Sequence, residues 1–336
     1  MKLIPEKNKA LDLYILQKID QGDDAIAKSV ADAIDIDQAT VHAHINRLIV
    51  DGVIERVKRG SYRIVDEEYT YHLDRDKAEL EYDTDVYHEC LFEHVKDLPE
   101  NVRRIWEYTF SEMVNNVIDH SKSSTATVKV LKNRLYTCVL LADDGIGIFQ
   151  NIKDYFKYDS VDDAISELFK GKLTTNPQNH SGEGIFFSSR MMDEFWIFSQ
   201  DRVFAHDRYD TSAISALGKQ NITGTSVFMQ ISNNSQRTVT EVFDKFADAG
   251  GEFDKTSIEL KNIFESAPVS RSQAKRLCNR LDIFKEVEFD FDGIDWMGQG
   301  FAHQIFVVFQ KEHPDINIRP INMCDEVRKM YVHVMS

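Results

Sequence analysis

Apolar residues recur along the chain with two spacings, and each change of spacing marks a change of element. Leu11, Ile15, Leu16 and Ile19 fall on one helical face, and Gly22-Asp23-Asp24 ends the run. Residues 25–33 predict a second, short helix. Asp35-Ile36-Asp37 is a turn, and Asp37 stands at the start of a third helix with Val41, Ile45, Leu48 and Ile49 inside. Gly52 closes it. Two apolar runs, 53–54 and 62–65, flank Arg56-Val57-Lys58-Arg59-Gly60, which predicts a hairpin with a basic tip. A mixed, acidic stretch follows, with one strand and one helix (86–95). After Pro99 a long helix carries Val102, Trp106, Thr109, Met113 and Val117 in one stripe, widened by Ile105 and Phe110. Residues 125–131 and 136–142 predict strands, and a helical, lid-like stretch runs over 149–180. Further helix and strand lead to Ile231, and Asn233-Asn234-Ser235 marks a boundary. Beyond a helix-like 239–247, strands 257–260, 287–291 and 317–320 alternate with helices 271–281, 300–309 and 325–334. Regular alternation of this kind builds a small α/β layer structure.

At 336 residues the chain exceeds one average domain. The expected units are 1–68, a connector at 69–84, 85–232 and 233–336, an α/β multidomain arrangement. With 42% hydrophobic and 29% charged residues the chain has enough apolar material for real cores. It has no apolar run of 18 residues, so no membrane span is expected. The start, MKLIPEKNKALDLY, lacks the apolar core of a signal peptide. Cys90, Cys138, Cys278 and Cys324 lie far apart and form no CxxC pair, so they read as buried thiols in a reducing cytoplasm. The net charge of -16 argues against a broad nucleic-acid coat. Residues 1–65 hold ten basic and ten acidic residues, so the excess lies downstream and a DNA contact fits only the N-terminal unit.

Four clusters carry candidate chemistry. Glu112, Asn116 and Asp119 stand on one face of the long helix, at spacings of four and three. An amide oxygen there suits a hard cation such as Mg²⁺, and a carboxylate one turn away can orient or deprotonate a nucleophile. A solvated helix face carries the same pattern. Asp143-Asp144-Gly145-Ile146-Gly147 follows an apolar strand. Its glycines let the backbone approach a ligand closely, and a buried Asp can accept a hydrogen bond from an exocyclic amine. A plain Asp-Gly turn reads alike. Ser181-Gly182-Glu183-Gly184-Ile185 opens a helix, where bare N–H groups and the positive dipole end suit phosphate. Gly224-Thr225 begins a strand.

In this order and spacing the clusters resemble the GHKL superfamily, which has the Bergerat-type α/β sandwich of histidine kinases, type II topoisomerases, heat-shock chaperones and anti-sigma serine kinases. The resemblance covers roughly 85–230, with Glu112/Asn116 similar to the N box. Asp143-Gly145-Gly147, Gly182-Gly184 and Gly224-Thr225 are similar to the glycine boxes that follow. The resemblance implies ATP and Mg²⁺ as cofactors. It makes Asn116 the metal ligand, Asp143 the reader of adenine, 149–181 the lid and Glu112 the catalytic carboxylate. Asp119, Gly145, Gly147, Ser181, Gly182, Gly184, Ile185 and Thr225 complete the implied nucleotide contacts.

The first unit resembles a winged helix-turn-helix. That implies Gln38, Thr40, His42 and Arg47 facing a DNA major groove, with Lys58 and Arg59 on phosphate. Many such units dock proteins instead, and the neutral charge of this one suits that reading too. The last unit resembles STAS-like domains, with 289–301 in the place of their phosphoacceptor loop. Phosphorylatable members carry Ser where this chain has Gly298, Gln299 and Gly300, so the resemblance implies a docking or self-association module rather than a phosphate acceptor.

The expectation is therefore a cytoplasmic switch that binds and slowly hydrolyses Mg-ATP. A serine/threonine protein kinase of the anti-sigma type and a non-hydrolysing ATP sensor are the alternatives. His88-Glu89 mimics the phosphoacceptor pair of a histidine kinase. Only 23 residues separate His88 from Glu112, too few for that kinase's helical hairpin.

Overall fold

Three helices open the chain in the computed structural model, which describes residues 5–173, 175, 182–205, 222–247, 252–264 and 266–336. They are α1 (Pro5–Asp20), α2 (Ile26–Ile34) and α3 (Gln38–Val50), followed by an antiparallel hairpin of β1 (Ile54–Lys58) and β2 (Ser61–Ile64). The predicted stripe is their core: Leu11, Ile15, Leu16 and Ile19 pack with Ile26, Val30, Val41, Ile45 and Leu48. Asp37 caps α3, its carboxylate accepting from the Thr40 amide at 2.7 Å. Leu135 and Tyr136, from the hairpin of the next unit, close this core from below.

The expected connector at 69–84 is corrected by β3 (Glu67–Asp74). This strand pairs antiparallel with β4 (Thr125–Lys132) along its whole length, from Glu67 opposite Lys132 to Asp74 opposite Thr125. It forms the rim of a sheet, and all but its last residues are thinly covered. An edge strand of that kind carries charge on both faces and reads as a linker in sequence.

The middle unit is built around that sheet, of six antiparallel strands in the order β3-β4-β5-β8-β6-β7. The remaining strands are β5 (Tyr136–Asp143), β6 (Glu194–Gln200), β7 (Arg202–Ala205) and β8 (Ile222–Ser232). Its helices are α4 (Asp83–Tyr87), α5 (Glu100–Asn116), α6 (Ile148–Phe156), α7 (Val161–Leu168), α8 (Gly184–Met191) and α9 (Val239–Asp244). Pro99 starts α5, as its fixed φ and missing N–H allow at a helix entrance. Trp106, Phe110 and Met113 of α5 share the core with Val128, Val139, Leu141, Ile197 and Met229 of the sheet.

The last unit alternates β9 (Lys255–Glu259), α10 (Arg271–Cys278), β10 (Glu286–Asp290), α11 (Gln299–His303), β11 (Asn317–Ile321) and α12 (Asp325–Met335). Its three strands run parallel in the order β11-β10-β9, with Glu286 opposite both Lys255 and Asn317. The apolar core of the middle unit continues into this one through Phe186, Phe187, Phe246 and Phe253. Cys90, Cys138 and Cys278 are buried. Cys324 is not, correcting that expectation: it precedes the exposed first turn of α12. No described helix is long and apolar enough to cross a membrane.

Candidate functional site

A cavity opens where the end of α5, the loop after β5, the start of α8 and strand β8 meet. Its empty volume is about 1100 Å³ including the part open to solvent. Glu112 and Asn116 line it from α5, Asp143 and Gly147 from the β5 loop, Gly182, Gly184 and Ile185 from the entrance of α8, and Thr225 from β8. Four sequence clusters, more than a hundred residues apart at the extremes, thus face one space.

Asp143 is there because β5 alternates. Val139, Leu141 and Asp143 occupy the buried face of the strand, so a carboxylate completes an apolar row and is only 8% exposed. The Gly145 amide donates to its Oδ1 at 2.8 Å. Burial pushes the Asp143 carboxyl above its ordinary pKa, while backbone amides of Gly145 and Thr225 oppose the shift. Gly224 presses on the same residue: its φ is +80°, and a Cβ there would lie 2.1 Å from Asp143 O. Thr225 Oγ1 accepts from the Ile148 amide at 3.0 Å, tying β8 to the start of α6.

Glu112 lies against Gly184, where an added Cβ would fall 2.1 Å from Glu112 Oε2. The carboxylate therefore stands at the N-terminal end of α8. One turn earlier on α5, burial raises the pKa of Tyr108, and the nearby carboxylates Glu112 and Glu183 raise it further. The Asn116 side chain makes one hydrogen bond among the described residues, a long one from Nδ2 to the Met113 sulfur at 3.9 Å. Its oxygen has no protein donor there. An oxygen ligand with no other partner fits Mg²⁺, which takes one or two protein ligands and fills its shell from water and phosphate. The described residues hold no group of three or more His, Cys, Asp and Glu placed for a metal, so such an ion would depend on a ligand's own oxygens.

The helix changes pitch just beyond Asn116. Val117–Ser121 forms a wider turn with i→i+5 bonding. It sets His120 in the cavity wall, and Asp119, expected there, is exposed and lies outside the wall. His120 Nδ1 is 3.2 Å from Thr175 Oγ1. Gly145 stands behind Asp143 rather than in the wall, pressed on Ser121, where a Cβ would meet Ser121 O at 2.1 Å. Ser181 and most of the 174–181 part of the expected lid lie outside the described residues. Asn151, Leu173 and Thr175 also line the cavity and were not singled out from sequence. For His120 there was a signal, since 112, 116 and 120 repeat at intervals of four.

Of the six residues expected to meet DNA, Gln38, His42, Arg47, Lys58 and Arg59 are exposed. Thr40 instead donates its hydroxyl to Asp37 at 2.9 Å as part of the α3 cap. Arg47 is paired within the unit to Asp12, which also holds buried His44 at 2.7 Å. In the last unit Gly298 N donates to Pro268 O at 2.9 Å, and Phe301 N to Val269 O at 3.2 Å. A Cβ at Gly298 would fall 2.4 Å from Val269 O, so the strand of chain at 268–269 closes that position to a serine.

Residues 273–328 match the family described as STAS-like domain of unknown function (DUF4325). The C-terminal α/β unit is accordingly STAS-like. No curated protein matches the chain.

The raised pKa of Asp143 has a consequence for stability. A carboxyl whose folded pKa exceeds its unfolded value binds protons more readily when folded, so stability falls as pH rises from the ordinary 3.8 through the folded value. Above that window the ionised, buried group is a constant penalty. Asp143→Asn removes the charge and keeps an acceptor for Gly145, and should therefore raise the urea midpoint at pH 7. Its advantage should shrink as pH falls through the window. A variant less stable than wild type at pH 7 would contradict this account.

Proposed function

We propose that the chain is an ATP-dependent regulatory protein, with a GHKL nucleotide-binding domain in the middle, a winged helix before it and the STAS-like unit after it. The observation that carries the reading is the convergence of Glu112/Asn116, Asp143/Gly147, Gly182/Gly184 and Thr225 on one cavity. Buried Asp143, at the closed end of a strand, suits the exocyclic amine of adenine, and its desolvation is offset when that donor arrives. The entrance of α8, with Gly182 and Gly184 against the cavity, suits phosphate through its bare N–H groups and dipole. Asn116 would hold Mg²⁺, which supplies charge neutralisation between phosphate oxygens. Glu112, beside Gly184, is then at the phosphate end, where it can orient or deprotonate an attacking water or a substrate hydroxyl.

The winged-helix reading draws on the exposed Gln38 and His42 of α3 and on the exposed basic tip at Lys58 and Arg59. Arg47, held by Asp12, is left out of the proposed contact. Partner docking through the STAS-like unit suits its closed loop, which offers no hydroxyl at 298–300. Nucleotide binding would bias the arrangement of these units through differential contacts in the two states.

Two experiments follow. Glu112→Ala should bind ATP about as well as wild type and lose turnover by ~10²- to 10⁴-fold, the usual worth of a positioned base. Asn116→Ala should lose magnesium-dependent binding as well. Incubation with γ-labelled ATP, separating free phosphate from labelled protein, reads both variants and distinguishes hydrolysis from protein phosphorylation. Full turnover in Glu112→Ala would remove its catalytic role, and a wild type that binds ATP without releasing or transferring phosphate would favour a sensor. For DNA, Lys58→Ala with Arg59→Ala should lower the slope of log affinity against log salt by about 0.9 per lost phosphate contact. Absence of any duplex affinity at low salt in the wild type would leave the first unit as a protein dock.

A further inference from the structure

We infer that the STAS-like unit clamps residues 167–173, which lead into the cavity wall, and that Arg280 is the positioning residue of the clamp. The identity of the cavity's occupant, an adenine nucleotide, rests on the reading above; the clamp itself rests on geometry.

Residues 167–173 run from the end of α7 to the cavity wall, and they are held from two sides. On the cavity side, Leu173 lines the wall and donates its amide to Gly182 O at 2.9 Å. Gly182 packs so tightly on this stretch that a Cβ would fall 2.6 Å from Leu173 N. On the other side a set of polar contacts comes from the last unit. Arg280 Nη2 donates to Lys172 O at 2.6 Å, and its Nη1 is 3.4 Å from Glu167 Oε2. Lys170, with a side chain 1% exposed, pairs with Glu167 at 2.6 Å and donates to Asn279 O at 2.9 Å and Arg276 O at 3.2 Å. Thr256 Oγ1 donates to Lys170 O at 2.7 Å. Lys172 Nζ is 3.1 Å from Asp254.

The backbone at this turn needs such support. Lys172 has a φ of +51°, a conformation that a residue with a side chain adopts only when its surroundings impose it. Both carbonyls that bracket the turn, those of Lys170 and Lys172, accept from side chains of the last unit. One residue further on, Leu173 meets the cavity. Releasing Arg280 frees the Lys172 carbonyl, and the turn that sets Leu173 and Gly182 is no longer fixed. A ligand must then order it on binding and loses affinity by that amount. By linkage, whatever shifts Arg280 from outside changes affinity in the cavity, and an occupant of the cavity tightens residues 276–280, at and just beyond the end of α10, in return.

The test uses the full chain as wild type, Arg280→Ala and Arg280→Lys, with amide hydrogen exchange and a titration with a magnesium-bound non-hydrolysable ATP analogue. In the protein without nucleotide, Arg280→Ala should speed exchange at 170–173 by about 10-fold or more and leave α5 unchanged. Its analogue affinity should fall roughly 5- to 50-fold. Arg280→Lys, which keeps a charge beside Glu167 but lacks the fork that also reaches Lys172 O, should fall between, and it carries the comparison if the alanine variant does not fold. Analogue should slow exchange at 276–280 in the wild type and not in Arg280→Ala, an effect that a merely stabilising residue would not produce. Unchanged exchange at 170–173, or unchanged affinity with a loosened turn, overturns the clamp. A wild type that binds no analogue while Arg280→Ala still loosens 170–173 overturns the nucleotide reading and keeps the clamp.

Discussion

Gly145, Gly184 and Gly224 sit where a side-chain carbon would fall 2.1 Å from Ser121 O, the Glu112 carboxylate and Asp143 O respectively. Elements around the cavity meet at these three points, backbone against backbone or backbone against carboxylate. At Gly145 and Gly224 the near atom is a backbone oxygen that cannot move aside, so a side chain there would displace the chain; at Gly184 it would displace the Glu112 carboxylate. The consequence is a fixed frame. The wide turn after α5 is pinned to the β5 loop through Ser121, whose carbonyl also accepts from the Ile146 amide at 2.9 Å. The β5 end is pinned to β8 through Gly224, whose carbonyl accepts from Ser199 Oγ at 2.8 Å. The entrance of α8 is pinned to α5 through Glu112. Asp143 is held inside that frame, buried and bonded to the backbone amides of Gly145 and Thr225.

The same frame explains what could be read from sequence. Elements with one deeply buried face were legible: the α5 stripe of Val102, Trp106, Thr109 and Met113 is buried throughout, and the strand 136–142 becomes β5 with one residue added. The glycine clusters were legible because short-range backbone approach demands glycine whatever surrounds it. Asp119 is exposed outside the wall, and His120, which continues the spacing of four from Glu112 and Asn116, lines it. The strand expected in the acidic stretch is β3, and its place in the central sheet comes from its pairing with β4. Arg47 looked available because its counter-ion, Asp12, is 35 positions away in the chain. Thr175 and Leu173 depend on tertiary approach alone and carried no local mark.

Two features of the STAS-like unit bear on its role in the chain. Its loop lacks a hydroxyl at 298–300, and the chain at 268–269 fills the space that a side chain at 298 would need. It is also joined to the middle unit by a continuous apolar core and by the buried Glu167–Lys170 pair. Burial lowers the Lys170 pKa and the Glu167 carboxylate opposes that shift, so the ammonium is sustained by its partner and by two carbonyls. The first unit is seated differently, on Leu135 and Tyr136 at the turn between β4 and β5, away from the cavity.

The claim on which the functional account rests is that the cavity takes an adenine nucleotide. Calorimetric titration of the wild-type chain with ADP and with GDP, each with and without magnesium, tests it most directly. The account predicts one-to-one binding of ADP that is strengthened by magnesium, with GDP bound far more weakly because its ring presents a carbonyl where adenine offers an amine. Equal affinity for the two nucleotides would contradict the role of Asp143, and no binding of either at millimolar concentration would contradict the account as a whole.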